Sequence, residues 1–288
     1  LVEVIGVDGF RFDLATALYT SNSAFNSSLM SAIESDSVLR NFKMIAEPWD
    51  VTRYSMGDFP HPWREWNDAY RDSVRQFWLG DLARGYGEGV ADVASRISGS
   101  SDIFYYRGPT SSINFISAHD GFTLADLVMY NQKHNEPNLE NNADGNNDNR
   151  SWNLGVEGPT EDALINTHRH QLKKSMLATL LLSSGVPMLT MGDEIGRTQN
   201  GSNNGYSLPK DMTPLMADSE ANFMGGWANK WNLNEAESDL RDAVAELAHI
   251  RKRYLEGVAH EFFTGVVDAG TKRKDIAWFS LGGHEMHE

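Results

Sequence analysis

Three short segments of the chain carry carboxylates in settings that suit chemistry. The first is Gly9-Phe10-Arg11-Phe12-Asp13. Strand alternation puts Gly9, Arg11 and Asp13 on one face and Phe10 and Phe12 on the other. The phenylalanines can then pack under covering helices while Arg11 and Asp13 point the opposite way. A guanidinium two residues away holds a carboxylate ionised by charge pairing. An ionised carboxylate at a strand end is what a nucleophile requires. A structural ion pair closing the strand would use the same residues.

The second segment is centred on Glu47, which follows Met44-Ile45-Ala46 and precedes Pro48-Trp49. Apolar and aromatic neighbours desolvate a carboxyl group, raise its pKa and keep it protonated, as a general acid requires. The alternative is an exposed glutamate opening a loop. The third segment is Ser117-Ala118-His119-Asp120-Gly121. A carboxylate beside a histidine can bond a substrate hydroxyl. His-Asp also begins metal-dependent phosphohydrolase sites, but those need further ligands. The chain has no second His-Asp pair and no His-Glu-x-x-His. Carboxylates on three strand ends suit glycoside hydrolysis. One acts as nucleophile and one as acid then base, roughly 5–5.5 Å apart in retaining enzymes. The third stabilises the charge that develops on the sugar.

Other motifs fail on inspection. Gly85-Tyr86-Gly87-Glu88-Gly89 has the wrong glycine spacing for a dinucleotide loop and follows a helix where a strand is required. Asp144, Asn146 and Asp148 begin like a calcium loop, but Asn149 stands where Gly is needed and Gly155 where Glu is needed. There is no Gly-x-Ser-x-Gly.

The elements that must position these groups alternate. Val2 to Phe12 reads as a buried strand, and a helical stretch follows around Leu29, Ile33 and Leu39. Phe42 to Ala46, residues 63–66, Ile113 to Ala118 and Val186 to Met191 read as further strands. Helices are expected over Ala69–Leu79, Val90–Ile97, Leu164–Leu182 and Leu240–Tyr254. Phe262–Val267 and Ile276–Leu281 look like strands of an antiparallel kind. Alternation to about residue 255 predicts parallel βαβ units, as a doubly wound sheet or a barrel. Asp13, Glu47, Asp120 and Asp193 each sit where a predicted strand stops, which favours the barrel, where strand ends converge on one site. Residues 131–162 and 196–236 are long loops rich in Asn, Gly and Pro. Loops this long are usually functional. Trp152, Trp227 and Trp231 within them argue against disordered insertions.

Composition narrows the partners. The 288 residues are 40% hydrophobic and 23% charged, which is globular. The net charge of −15 repels phosphate backbones, so no nucleic-acid partner is expected. Absent cysteine removes disulfides, thiol catalysis and cysteine zinc sites. No run is long and apolar enough for a membrane helix, and no signal-peptide pattern opens the chain, so no membrane and a cytoplasmic location are expected.

Val7-Asp8-Gly9-Phe10-Arg11-Phe12-Asp13, Ala46-Glu47-Pro48-Trp49-Asp50 and Ala118-His119-Asp120-Gly121-Phe122-Thr123-Leu124 resemble three of the four signature regions of the α-amylase clan, glycoside hydrolase family 13. More narrowly, the chain resembles bacterial glycogen debranching enzymes of the isoamylase type. Glu65-Trp66-Asn67-Asp68-Ala69-Tyr70-Arg71-Asp72, Tyr130-Asn131-Gln132-Lys133-His134-Asn135-Glu136, Ser151-Trp152-Asn153, Gly155-Val156-Glu157-Gly158-Pro159-Thr160 and Gly192-Asp193-Glu194 carry that narrower likeness.

The resemblance implies a retaining hydrolase of α-1,6 branch linkages in glycogen, limit dextrin or related α-glucans, with no cofactor and no metal. By motif, Asp13 is the nucleophile, Glu47 the acid/base and Asp120 the transition-state stabiliser. Arg11 and His119 assist around the same sugar, and Trp49, Asn67 and Asn135 line the cleft. A transferase or branching enzyme of the same clan, or a non-catalytic glucan-binding fragment, are the alternatives.

Two departures from the family pattern matter. After Gly201-Ser202-Asn203-Asn204-Gly205-Tyr206 the chain reads Ser207-Leu208-Pro209-Lys210-Asp211 instead of a Cys-Gln-Asp-Asn run. The clan's first signature, which precedes the Asp13 motif, is absent, and the chain begins at Leu1 rather than Met. The expectation is a TIM (β/α)8 barrel of which only strands 4–8 are present in residues 1–256, with residues 257–288 beginning a C-terminal antiparallel β domain. The missing N-terminal half of the same protein is then a required partner, and the segment alone is expected to be inactive.

Overall fold

The computed structural model describes residues 2–18, 27–85, 89–205, 232–280 and 282–286. Its centre is an all-parallel five-stranded sheet of β1 (Gly9–Phe12), β2 (Lys43–Ala46), β3 (Arg64–Asn67), β4 (Ser112–Asn114) and β5 (Val186–Pro187), in that order. Doubly wound sheets reverse their strand order at a switch point. This sheet does not, and each strand lies beside its predecessor as in a barrel wall. The main helices are α1 (Ser28–Ser35), α2 (Asp68–Arg75), α3 (Val90–Ile97), α4 (Ala163–Leu182) and α5 (Glu235–Ile250). None is long and apolar enough to cross a membrane.

Side-chain alternation divides the sheet into two faces. Phe10, Phe12, Met44 and Ala46 face outward and pack with Met30 and Ile33 of α1. Ile45, Trp66, Ile113 and Phe115 form an inner-face cluster with Val186 and Met188. The inner face leads toward Arg11, whose guanidinium lies over the Trp66 ring. A third core packs Tyr70 and Val74 of α2 against Leu172, Met176 and Leu180 of α4 and Leu240 of α5. Of the row Leu164, His168, Leu172, Met176, Leu180, the last three are buried, while Leu164 and His168 are exposed in the first turns.

Caps set the helix limits. Asn67 accepts from the Tyr70 N–H at 2.8 Å to start α2, and Asp162 accepts from the Leu164 and Ile165 N–H groups to start α4. A capping box of Asn234 and Glu237 starts α5 five residues before the expected Leu240. Helices α2 and α5 run on into the π-helical turns Gln76–Gly80 and Arg251–Leu255. Arg251 donates to the carbonyls of Leu181 and Ser183, closing the end of α4.

Three strand expectations are corrected. Val2–Ile5 is a short helix and pairing begins only at Gly9, because Gly6 turns through φ 76° and the register starts with Gly9 opposite Lys43. Strands β4 and β5 are shorter than expected. Pro187 lacks an N–H, which limits ladder formation in β5. Beyond residue 256, antiparallel pairing is confined to single bridges, Val267 with Lys274 and Phe279 with Glu285, among the described residues. Trp227, Trp231, Ser207–Asp211, Tyr86–Glu88 and Leu281 lie outside the described residues. The loop over 131–162 is an ordered, hydrogen-bonded structure, not a loose insertion. Arg169 of α4 donates to the carbonyls of Asn153, Val156 and Gly158, and Lys133 donates to that of Asp144.

Candidate active site

Parallel register brings the first two carboxylates together. Phe12 pairs with Ala46, so Asp13 and Glu47 are the next residues on adjacent strands. The zip continues past the strands, with the Glu47 N–H donating to Phe12 O at 3.0 Å and the Ala15 N–H to Glu47 O at 2.9 Å. Arg11 then bridges the side chains. One guanidinium nitrogen bonds Asp13 Oδ1, and another lies 3.1 Å from Glu47 Oε2. Glu47 Oε2 also accepts the Leu14 N–H at 2.6 Å. Leu14 holds φ at 43°, a left-handed backbone that an L-residue adopts only when its surroundings impose it.

The two carboxyl groups meet different surroundings. Glu47 is 5% exposed, and burial raises its pKa. The Leu14 N–H and the Arg11 charge oppose that rise, while the Asp13 and Asp120 charges add to it. A buried carboxyl with a raised pKa is thus set beside Asp13, whose side chain is 65% exposed and ion-paired. Separating two carboxyl groups by environment in this way is how acid and nucleophile roles are divided.

An aromatic floor connects this pair to the third carboxylate. The Arg11 guanidinium lies 4.1 Å from the centroid of the Trp66 ring, and the His119 ring lies 5.7 Å from the same indole. His119 Nδ1 is 3.7 Å from Asp120 Oδ1, and both side chains are open to solvent. A cavity of about 280 Å³ opens beside Asp120, lined by Arg71, Asn146, Asp148 and Asn203 among others. The Arg11, Asp13, Glu47, His119 and Asp120 constellation is therefore assembled as one cluster at the carboxyl ends of β1, β2 and β4.

Asp193, the fourth strand-end carboxylate, is 2% exposed and does not face the opening. It accepts from the Ser117 hydroxyl and from the Leu124 N–H, while Thr190 donates to Ser117 O. These bonds grip both ends of the loop that carries His119 and Asp120. Burial pushes the Asp193 carboxyl up to about 6. Its place at a strand end is legible in the sequence but the grip is not, because its partners Ser117 and Leu124 lie far away along the chain.

Two residues expected to line the cleft are buried. Asn67 is 0% exposed; its amide donates to the Ser100 and Ser112 hydroxyls, and its oxygen caps α2. Asn135 is equally buried and ties its own loop to Asn203 and Asp144 O. Both are framework residues, since every side-chain hydrogen-bonding atom is already engaged within the protein. Trp49 stays at the surface of the site, its indole parallel to the Tyr54 ring. Tyr54 was not foreseen. The turn signal that could have found it is Asp50, whose carboxylate accepts from the Thr52 and Arg53 N–H groups and sends the chain back alongside Trp49. Among the described residues no group of His, Cys, Asp or Glu is arranged to hold a metal ion.

No family model matches the chain. It is 44% identical over 290 aligned residues to the glycogen operon protein GlgX homolog of Mycobacterium tuberculosis (strain ATCC 25618 / H37Rv), covering 98% of this chain and 38% of that protein. It is 48% identical over 258 residues to the glycogen debranching enzyme of Erwinia tasmaniensis, covering 88% of this chain and 36% of that one. Among solved structures, the apo pullulanase of Paenibacillus barengoltzii aligns with a TM-score of 0.59 at 20% identity, over 87% of this chain and 34% of the other. A pullulanase from Anoxybacillus sp. LM18-11, complexed with maltotriose, aligns with a TM-score of 0.55 at 22% identity, over 87% and 31%. The chain thus spans little more than a third of the curated relatives it matches. Nearly the whole chain is thus similar to a part of the bacterial glycogen operon proteins and glycogen debranching enzymes, on an α/β fold shared with pullulanases.

Proposed function

We propose that this chain carries the catalytic carboxylates of a retaining glycoside hydrolase that cleaves α-1,6 branch linkages of glycogen and related α-glucans. The observation that carries the reading is the Arg11 bridge between an open Asp13 and a buried Glu47 whose pKa burial raises. One guanidinium touching both carboxyl groups is compatible with the roughly 5–5.5 Å separation of a retaining pair.

In the first step Glu47 gives its proton to the branch oxygen, the glycosidic C–O bond breaks, and an Asp13 oxygen bonds the anomeric carbon. In the second, water attacks that carbon, Glu47 takes the water proton, and the Asp13 carboxylate is released. Asp120 stabilises the positive charge that develops on the sugar ring. His119 and Arg11 orient the same sugar from the Trp66 floor.

The sheet is the part of a (β/α)8 barrel that holds strands 4–8, and residues from 257 onward begin a C-terminal β domain. The sequential parallel order supports the first statement and the two antiparallel bridges the second. Residues from the rest of a longer protein complete the barrel, and residues 1–288 alone have no debranching activity.

The test is Asp13→Asn and Glu47→Gln in the full-length protein, assayed for chains released from glycogen limit dextrin. Each substitution lowers kcat by at least about a hundredfold. Near-normal release by Asp13→Asn rejects the nucleophile assignment. Formation of new branch or transfer products in place of free chains rejects hydrolysis.

A further inference from the structure

Beyond β5 the chain comes back beside Asp120 at Asn203, which is 2% exposed. Every polar group of Asn203 is engaged within the protein. Its backbone N–H donates to Asn135 Oδ1 at 3.0 Å, and its side-chain oxygen accepts from Asn135 Nδ2 at 2.8 Å. Its Nδ2 donates to Asn146 O at 2.6 Å and to Asn149 Oδ1 at 2.8 Å. The remaining group, the backbone carbonyl, accepts the Gly121 N–H at 2.8 Å. One buried residue thus joins the loop after β4 to the 131–149 loop. The clasp is closely packed, since a Cβ at Gly145 would overlap Asn203 Oδ1. A buried amide that left this geometry would leave its partners unpaired, which favours one arrangement.

Gly121 follows Asp120 directly. It holds φ at 90°, and a Cβ built there meets nothing within 4 Å, so the left-handed backbone and not crowding calls for glycine. Glycine has the largest conformational freedom of any residue, so such a turn does not fix itself. Asp120 lies in neither strand nor helix, and its side chain is 58% exposed. The bonds to Asp193 hold Ser117 and Leu124, further out on either side. The Gly121 N–H shares a rigid peptide plane with the Asp120 carbonyl. Holding that N–H sets the plane, and with it the backbone from which the Asp120 side chain projects.

We propose that Asn203 is a positioning residue for Asp120. Its carbonyl fixes the Asp120–Gly121 peptide, and its side chain, clasped by Asn135, Asn146 and Asn149, fixes the carbonyl. This inference rests on the charge-stabilising role of Asp120 in the function proposed above. Asn203 acts through Asp120 and takes no part in proton or glycosyl transfer.

The test uses the full-length protein with glycogen limit dextrin as substrate. Asn203→Ala lowers kcat about thirtyfold with KM within about threefold of wild type, because a misplaced charge weakens the transition state more than the bound substrate. Asn203→Asp keeps the size and the acceptor facing Asn135 but loses the donor to Asn146 and Asn149, and it lowers kcat about fivefold. Asp120→Asn removes the charge itself, and in that background Asn203→Ala changes kcat by less than about twofold. A loss of about thirtyfold in both backgrounds overturns the proposal, since general damage to the fold produces it. An unchanged kcat in Asn203→Ala also overturns it.

Hydrogen exchange, read by mass spectrometry with fragmentation to single amides, follows the placement without turnover. The Gly121 amide exchanges at least about tenfold faster in Asn203→Ala, while the Leu124 amide, held by Asp193, stays within about threefold of wild type. Equal protection of Gly121 in the two proteins overturns the proposal. Near-normal turnover by Asp120→Asn rejects the role given to Asp120, and the exchange result then decides the clasp by itself.

Discussion

The backbone N–H of Leu124 donates to Asp193 Oδ1 at 3.1 Å, so a carboxylate beyond β5 holds the end of the loop that began at β4. The other Asp193 oxygen takes the Ser117 hydroxyl. Between those two anchors lie His119 and Asp120. One buried side chain thus sets the placement of two exposed ones.

Burial raises the Asp193 carboxyl to about 6 from an ordinary 3.8. A group whose folded pKa is raised contributes stability below its unfolded pKa and loses it as pH rises through the folded value. The loss for Asp193 therefore falls between about pH 4 and pH 6. Asp193→Asn removes that dependence. The stability difference between wild type and Asp193→Asn shifts by roughly 1–3 kcal/mol in favour of the variant across this window. Urea denaturation of both proteins at pH 4, 5, 6 and 7 measures it, and a pH-independent difference contradicts the assignment.

Arg11 favours the ionised form of Glu47. Removing the cation raises the Glu47 pKa further, and a general acid works only while protonated. Arg11→Gln therefore moves the alkaline limb of the kcat/KM profile to higher pH. It also lowers kcat at the optimum by at least about tenfold, because a charge aimed at the reacting carboxylates is lost. A limb that stays in place, or moves to lower pH, rejects Glu47 as the group that sets it.

Asn67 separates framework from cleft. Asn67→Ala removes a helix cap and leaves the Ser100 and Ser112 hydroxyls with one partner fewer. The expected loss is about 2–4 kcal/mol of stability. The KM of the protein that remains folded is unchanged. A raised KM at undiminished stability restores Asn67 to the substrate site.

The gathering of the candidate site residues was legible because it depends on residue type and strand alternation. Arg11 and Asp13 share a face of β1, and the apolar run before Glu47 foretells its burial. The faces of β1 were equally legible, since Phe10 and Phe12 do pack outward. Asn67 and Asn135 misled because an amide beside a motif looks the same in sequence whether it meets solvent or three internal partners. The C-terminal strands misled because alternating apolar residues form a sheet only when a neighbour is present to pair with them.

By itself the sequence indicated which groups are candidates for the chemistry, the alternation of strands and helices, and the resemblance to a family. Those properties follow from local spacing and from motifs read along the chain. Tertiary structure alone decided that Arg11 spans Asp13 and Glu47, that Asp193 grips the Asp120 loop, and that Tyr54 stands beside Trp49. The first two join residues far apart in the sequence, and register and packing bring such residues into contact. The third depends on how tightly the Asp50 turn closes, which the chain settles only when Thr16 and Asp68 are in place to hold it.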